Sequence, residues 1–265
     1  HWPAPSAILL ALFAGLGQFA LLRIADEHKD YATDLAHRPY RPVQRGLISL
    51  AELRAVGIAA ALMMLAAVSV AQSFALGVLM LGVWIYFALM SAEFFVGEWL
   101  KQRPIIYLIS HMVITPLLAW LMAAFQRVHD NAPVVPLATD SVFLLAILAL
   151  GVVLEFGRKI RATADEENGV ETYSSLWGPL PARNAWACVA FAAAALTVIA
   201  VAQIGGSVTV ALLVVSPGLA ILGIAARAFT PHQPGSGKRI EQASGALALA
   251  VLLALGLAPH VEALP

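Results

Sequence analysis

The chain has 265 residues, 60% of them hydrophobic and only 12% charged, with 16 Lys and Arg balancing 16 Asp and Glu. A soluble domain is about 25% charged, so this composition excludes an ordinary soluble globule and points to a membrane protein. A formal net charge of zero excludes the basic surface on which nucleic-acid binders rely, so no nucleic-acid partner is expected.

A membrane span needs roughly 20 predominantly apolar residues. Eight stretches qualify, at about 5–24, 52–72, 74–96, 104–125, 140–157, 184–203, 207–227 and 242–258. The expected fold class is therefore all-α, a polytopic transmembrane helical bundle of eight spans forming a single domain over residues 1–265. The chain begins at His1, and an N-terminal piece is expected to precede it; no cleavable signal peptide is expected. Pro116, Pro217 and Gly151 fall inside spans, where membranes tolerate kinks and close packing. Cys188 lies in an apolar run and is expected to be a small buried hydrophobe.

The connections alternate in character. Those at about 25–51, 97–103, 158–183 and 228–241 are charged, and those at 72–74, 126–139 and 204–206 are short or nearly uncharged. Basic residues mark the cytoplasmic side. With the charged connections and bordering helix ends placed there, every Lys and Arg except Arg127 falls on one side. The expected location is the cell (inner) membrane, multi-pass, with the charged loops cytoplasmic. Arg outnumbers Lys 12 to 4 and Ala is abundant, a composition that suggests a bacterial source.

The first charged stretch carries Asp26, Asp30 and Asp34 at spacings of four. If the first span continues as a helix, they share one face, each about 6 Å from the next. Three unpaired carboxylates so close repel each other, and a divalent cation removes the repulsion. Mg²⁺ takes one or two carboxylates and keeps other positions for water and substrate phosphate. Lys29, Arg38, Arg41 and Arg45 supply cations for phosphate oxygens, so the segment reads as a metal–diphosphate site. The second long loop again mixes acids and bases: Glu155, then Arg158, Lys159 and Arg161, then Asp165, Glu166 and Glu167. Two such loops on one membrane face suit a pair of metal ions. Within the fourth span Tyr107, His111 and Thr115 share a face, and ionisable groups at membrane depth usually face the interior or a cavity. His111 is a candidate to orient an acceptor or take its proton. Glu93, at the end of the third span, is a candidate cavity residue.

"DEHKDYATDLAHRPYRPVQRG", starting at Asp26, and "DEENGVET", starting at Asp165, resemble the two aspartate-rich motifs of the UbiA superfamily of intramembrane prenyltransferases. That family has nine helices, with its motifs after helices 2 and 6. Here they follow spans one and five, as expected if the family's first helix is missing. Two departures mark a distinct branch. Ala25 stands where the family has Asn, with the first two aspartates four apart instead of three. Arg161 stands where the second motif's first aspartate belongs. Three alternatives remain open there: Glu155 takes that role, Glu166 and Glu167 do, or one metal is held more weakly.

The resemblance implies an active site at the cytoplasmic side and a Mg²⁺-dependent enzyme, with two ions, acting on an isoprenoid diphosphate in the bilayer. The prenyl group would pass through an allylic carbocation to an aromatic, quinone-precursor or lipid-like acceptor. Metal ligands would come from Asp26, Asp30, Asp34, Glu155, Asp165 and Glu166. Lys29, Arg38, Arg41, Arg45, Lys159 and Arg161 would bind the diphosphate. Asp30, Asp165 and His111 would be catalytic. Aromatic faces stabilise cations, which makes Trp84, Phe87 and Tyr107, with Glu93 and Thr115, candidates to line the prenyl and acceptor cavity. An intramembrane terpene cyclase is the alternative with the same site, and a divalent-cation transporter is a further one. A transporter needs ionisable residues near the midplane of several spans, whereas the acids here gather at one surface.

Overall fold

The computed structural model describes residues 2–167 and 169–261. Asn168, in the second acidic loop, lies outside the described residues, as do His1 and residues 262–265 at the ends of the expected single domain. Among the described residues the regular structure is all helical, without a strand. All eight expected spans are present as helices long and apolar enough to cross a membrane. They fall into two compact units, Trp2–Pro136 and the chain from Leu137 onward.

The N-terminal unit contains α1 (Pro5–Lys29), α2 (Tyr31–His37), α3 (Leu50–Ala71), α4 (Phe74–Ser91), α5 (Gly97–Lys101), α6 (Pro104–Met112) and α7 (Ile114–His129). Proline opens α1 and α6, where its missing N–H costs nothing. A capping box between Ser49 and Glu52 opens α3. Ala14, Met64, Leu76 and Leu121, all fully buried, form the centre of a core shared by α1, α3, α4 and α7. The fourth span breaks between α6 and α7 because Pro116 has no N–H for the Met112 carbonyl four residues back. The Thr115 hydroxyl donates to that carbonyl at 2.7 Å.

The C-terminal unit contains α8 (Ser141–Arg158), α9 (Tyr173–Trp177), α10 (Pro179–Gln203), α11 (Val208–Ala228) and α12 (Ser236–Leu257). Its helices approach closely over small residues, as membrane helices do: Ala182, Ala190, Ala193 and Ala243, Ala254 are buried on α10 and α12. Trp186, fully buried, donates its indole N–H to Ser244 Oγ at 2.8 Å. Inside α11, Ser216 repeats the device of Thr115, donating at 3.5 Å to Leu213, the carbonyl that Pro217 leaves unpaired.

Several boundaries differ from expectation. Helix α1 runs past the apolar stretch to Lys29, and α12 starts at Ser236, because charged residues continue a helix once it has left the hydrocarbon. Helix α4 stops at Ser91 because Glu93, Phe94 and Phe95 all have positive φ, 50°, 53° and 59°. This left-handed turn cannot extend a right-handed helix. Cys188 is exposed, not buried. Trp186 and Ala190 turn inward on α10, which leaves Cys188 on the opposite side.

Each unit brings its two charged connections to one end. In the N-terminal unit Lys29 Nζ lies 2.7 Å from Glu93 Oε1. In the C-terminal unit the Thr163 N–H donates to the Pro231 carbonyl at 2.8 Å.

Candidate functional site

The helical register predicted for the three aspartates holds. The Asp30 N–H donates to the Asp26 carbonyl and the Asp34 N–H to that of Asp30, both at 2.8 Å, so the turn between α1 and α2 keeps the four-residue spacing. Their side chains differ. Asp26 and Asp30 are exposed, whereas Asp34 is buried and ion-paired to Arg38, at 3.6 Å, and to Arg41. Asp34 thus clamps the start of the arginine loop back onto α2. Arg45, further along that loop, is exposed.

Lys29, expected on the diphosphate, pairs with Glu93. Lys101, which the sequence marked only as a topology signal, lies 4.0 Å from the other oxygen of the same carboxylate. Tyr107 Oη donates to Glu93 Oε1 at 3.5 Å. The His111 ring stacks on Tyr107, centroids 4.0 Å apart, with Phe94 edge-on to it at 6.3 Å. The expected Tyr107–His111 face therefore exists, and the left-handed turn delivers Glu93 to it. Gly97 makes this possible: a Cβ there would lie 2.1 Å from Glu93 Oε2. The Lys29 ammonium, hydrogen-bonded to Glu93, holds that carboxyl below its ordinary 4.5, and the charge of Lys101 acts in the same direction. Trp84 and Phe87 pack against the unit's core, and Thr115 bridges the helix break.

The second acidic loop is tied up within its own unit. Glu155 pairs with Arg158 at 2.6 Å and with Lys159 at 2.8 Å. Asp165 Oδ2 accepts the Gly235 N–H at 2.7 Å, just before α12. Both Glu166 oxygens accept the Thr172 hydroxyl at 2.8 Å, and Glu167 pairs with Arg161 at 2.9 Å. The start of α12 is pressed against this loop. A Cβ on Gly237 would stand 2.4 Å from the Ile160 carbonyl oxygen.

Among the described residues, no group of three or more His, Cys, Asp and Glu side chains is placed to hold a metal ion. The donor chemistry of α1 still suits Mg²⁺, which needs only one or two carboxylates beside water and phosphate; Asp26 and Asp30 are two such groups on one helical face. Sequence reasoning missed the roles of Lys101 and Gly97. Thr172 closes the quoted second motif, but its partner Glu166 is visible only in the structure.

A profile of the UbiA prenyltransferase family matches residues 1–244. The chain belongs to the UbiA prenyltransferase family. The solved apo structure of a UbiA homolog from Aeropyrum pernix K1 superposes with a TM-score of 0.71, covering 95% of this chain and 88% of that one at 16% identity. At that identity the likeness establishes the UbiA fold alone. No curated protein matches the chain. Prenyl transfer is the activity of the UbiA family as a whole, and the chain's eight apolar helices make it a multi-pass membrane member.

Proposed function

We propose that the chain transfers a prenyl group from an isoprenoid diphosphate to a hydrophobic acceptor within the membrane, with Mg²⁺ held by Asp26 and Asp30. The observation that carries this reading is the pair of exposed carboxylates on one face at the end of α1, beside Lys29 and the arginine loop. Bound Mg²⁺ supplies Lewis-acid neutralisation of the diphosphate. Lys29 and Arg45 bind the diphosphate oxygens, and Asp34 fixes Arg38 and Arg41 so that their charges need no ordering when substrate arrives. The C–O bond breaks with its electron pair leaving on diphosphate. The allylic cation is sheltered by Trp84, Phe87 and Tyr107 until the acceptor attacks and gives up a proton, which the Glu93–Tyr107–His111 group accepts. In the C-terminal unit, Glu155, Asp165 and Glu166 with Lys159 and Arg161 form the second charged motif, and Asp165 is its catalytic candidate. The charged ends of both units are proposed to face the cytoplasm, in a bacterial inner membrane.

Labelled geranylgeranyl diphosphate, supplied with and without Mg²⁺ and with a series of phenolic, quinol and lipid-alcohol acceptors, tests the reading. Mg²⁺-dependent release of diphosphate coupled to labelling of one acceptor is expected. A cyclic hydrocarbon formed without acceptor would replace the transferase with a cyclase. Diphosphate left intact under all conditions would overturn both.

A further inference from the structure

The Glu93 carboxylate meets a cation at each oxygen. Lys29 Nζ, from the end of α1, is 2.7 Å from Oε1, and Lys101 Nζ, from α5, is 4.0 Å from Oε2. From α6, Tyr107 Oη donates to Oε1 at 3.5 Å, and His111 stacks on the Tyr107 ring. The two lysines are not equivalent. Lys101 has a nearer partner in Glu98, at 3.3 Å. Lys29 directly precedes Asp30, and its side chain stays 36% exposed, so its ammonium is open to a ligand arriving at the carboxylates of α1. A left-handed turn delivers Glu93 to these cations. Pairs between partly exposed side chains recover only part of what such a turn costs, and strain retained in a fold clusters at functional sites. The Lys29 ammonium also holds the Glu93 carboxyl below its ordinary 4.5. A proton acceptor works best with a pKa near the ambient pH, so Glu93 under Lys29 is a weak base.

We propose, on the prenyl-transfer reading above, that Glu93 and the diphosphate compete for Lys29, which keeps Glu93 from taking a proton until the leaving group draws the ammonium away. The C–O bond breaks with its electron pair on the diphosphate, whose negative charge grows by one. Lys29 shifts its charge toward that anion, and Glu93 is left with the more distant Lys101 and the Tyr107 hydroxyl. As the acceptor forms its bond to the prenyl carbon, the proton it gives up passes to Glu93. Lys29 is thus a positioning residue for the base as well as a ligand of the leaving group. The timing protects the site: Glu93 is a strong base only while there is a cation to be trapped.

Calorimetric titration of inorganic diphosphate into the detergent-solubilised chain, at fixed Mg²⁺ and neutral pH, tests the competition without turnover. Glu93→Gln frees Lys29 and is expected to tighten diphosphate binding by about fivefold, while turnover with a prenyl diphosphate falls. Gly97→Ala, whose methyl displaces the Glu93 carboxylate, should tighten binding in the same direction. Lys29→Gln should weaken it, and adding Glu93→Gln to Lys29→Gln should give no further gain, as residues that act on one another are not additive. Should Glu93→Gln not fold, Gly97→Ala decides, alone and combined with Lys29→Gln. Binding unchanged or weakened on loss of the carboxylate, or a gain of equal size without Lys29, overturns the competition and leaves prenyl transfer standing. No diphosphate bound by the unaltered chain at any Mg²⁺ concentration overturns both.

Discussion

Asp26, Asp30 and Asp34 show how one spacing supports different chemistry at successive turns. Asp34 is buried against Arg38 and Arg41, and hydrogen bonds to charged groups are worth about 1.5–3 kcal/mol. Asp34→Asn is therefore expected to lower thermal stability by about 2 kcal/mol in detergent. Asp30→Asn removes an exposed carboxylate and should leave the melting temperature unchanged while cutting turnover by about 10²-fold. If Asp30→Asn melts early with activity retained, its assigned role is wrong. The same reasoning at Glu93 gives a pH dependence. Its folded pKa lies below 4.5, so its contribution to stability is present above the unfolded value and is lost as pH falls through the folded one. Glu93→Gln should flatten the acid side of a melting-temperature profile below about pH 4.5 and leave the neutral region lower. The sequence revealed that Glu93 stands near the end of a span. It did not reveal Lys29 as the partner, because the contact joins residues 64 apart and no local pattern encodes it.

Helices are where hydropathy was most informative, and its failures have identifiable physics. The eight apolar runs became eight helices because a backbone in hydrocarbon must satisfy its own hydrogen bonds. The left-handed turn after α4 was invisible, since Glu93, Phe94 and Phe95 include neither the Gly nor the Asn that usually announces positive φ. Strain of about 1–2 kcal/mol per residue is offset there only in part by the ion pairs Glu93 forms with Lys29 and Lys101, because an exposed ion pair is worth about 0–1 kcal/mol. Gly97→Ala tests this coupling. The added methyl displaces the Glu93 carboxylate, so activity should fall and the acid limb should flatten as in Glu93→Gln. At Gly237 the obstacle is backbone that cannot turn aside, and Gly237→Ala is expected to cost about 1–3 kcal/mol by pushing the second acidic loop off α12. That loop was legible as acids among bases, but not as a segment whose Glu155, Asp165, Glu166 and Glu167 each find donors within their own unit.

For the whole molecule, charge asymmetry was the clearest sequence signal, and contacts within each unit agree with it by bringing both charged connections to one end. The orientation across the bilayer is open to direct test. In a Cys188→Ala background, Tyr40→Cys should resist a membrane-impermeant maleimide in intact cells, while Val135→Cys should react; both positions are exposed. Reversed labelling would invert the topology. The two units also share a repair that constrains how such a chain can change over time. A hydroxyl precedes the proline in α11 and at the start of α7, and it serves the carbonyl the proline abandons. Thr115→Val alone should cost about 1–3 kcal/mol, but almost nothing once Pro116→Ala restores the N–H. The order of substitutions therefore matters: proline must be lost before the hydroxyl can drift, and a lineage that takes the steps in reverse crosses a valley of unstable intermediates.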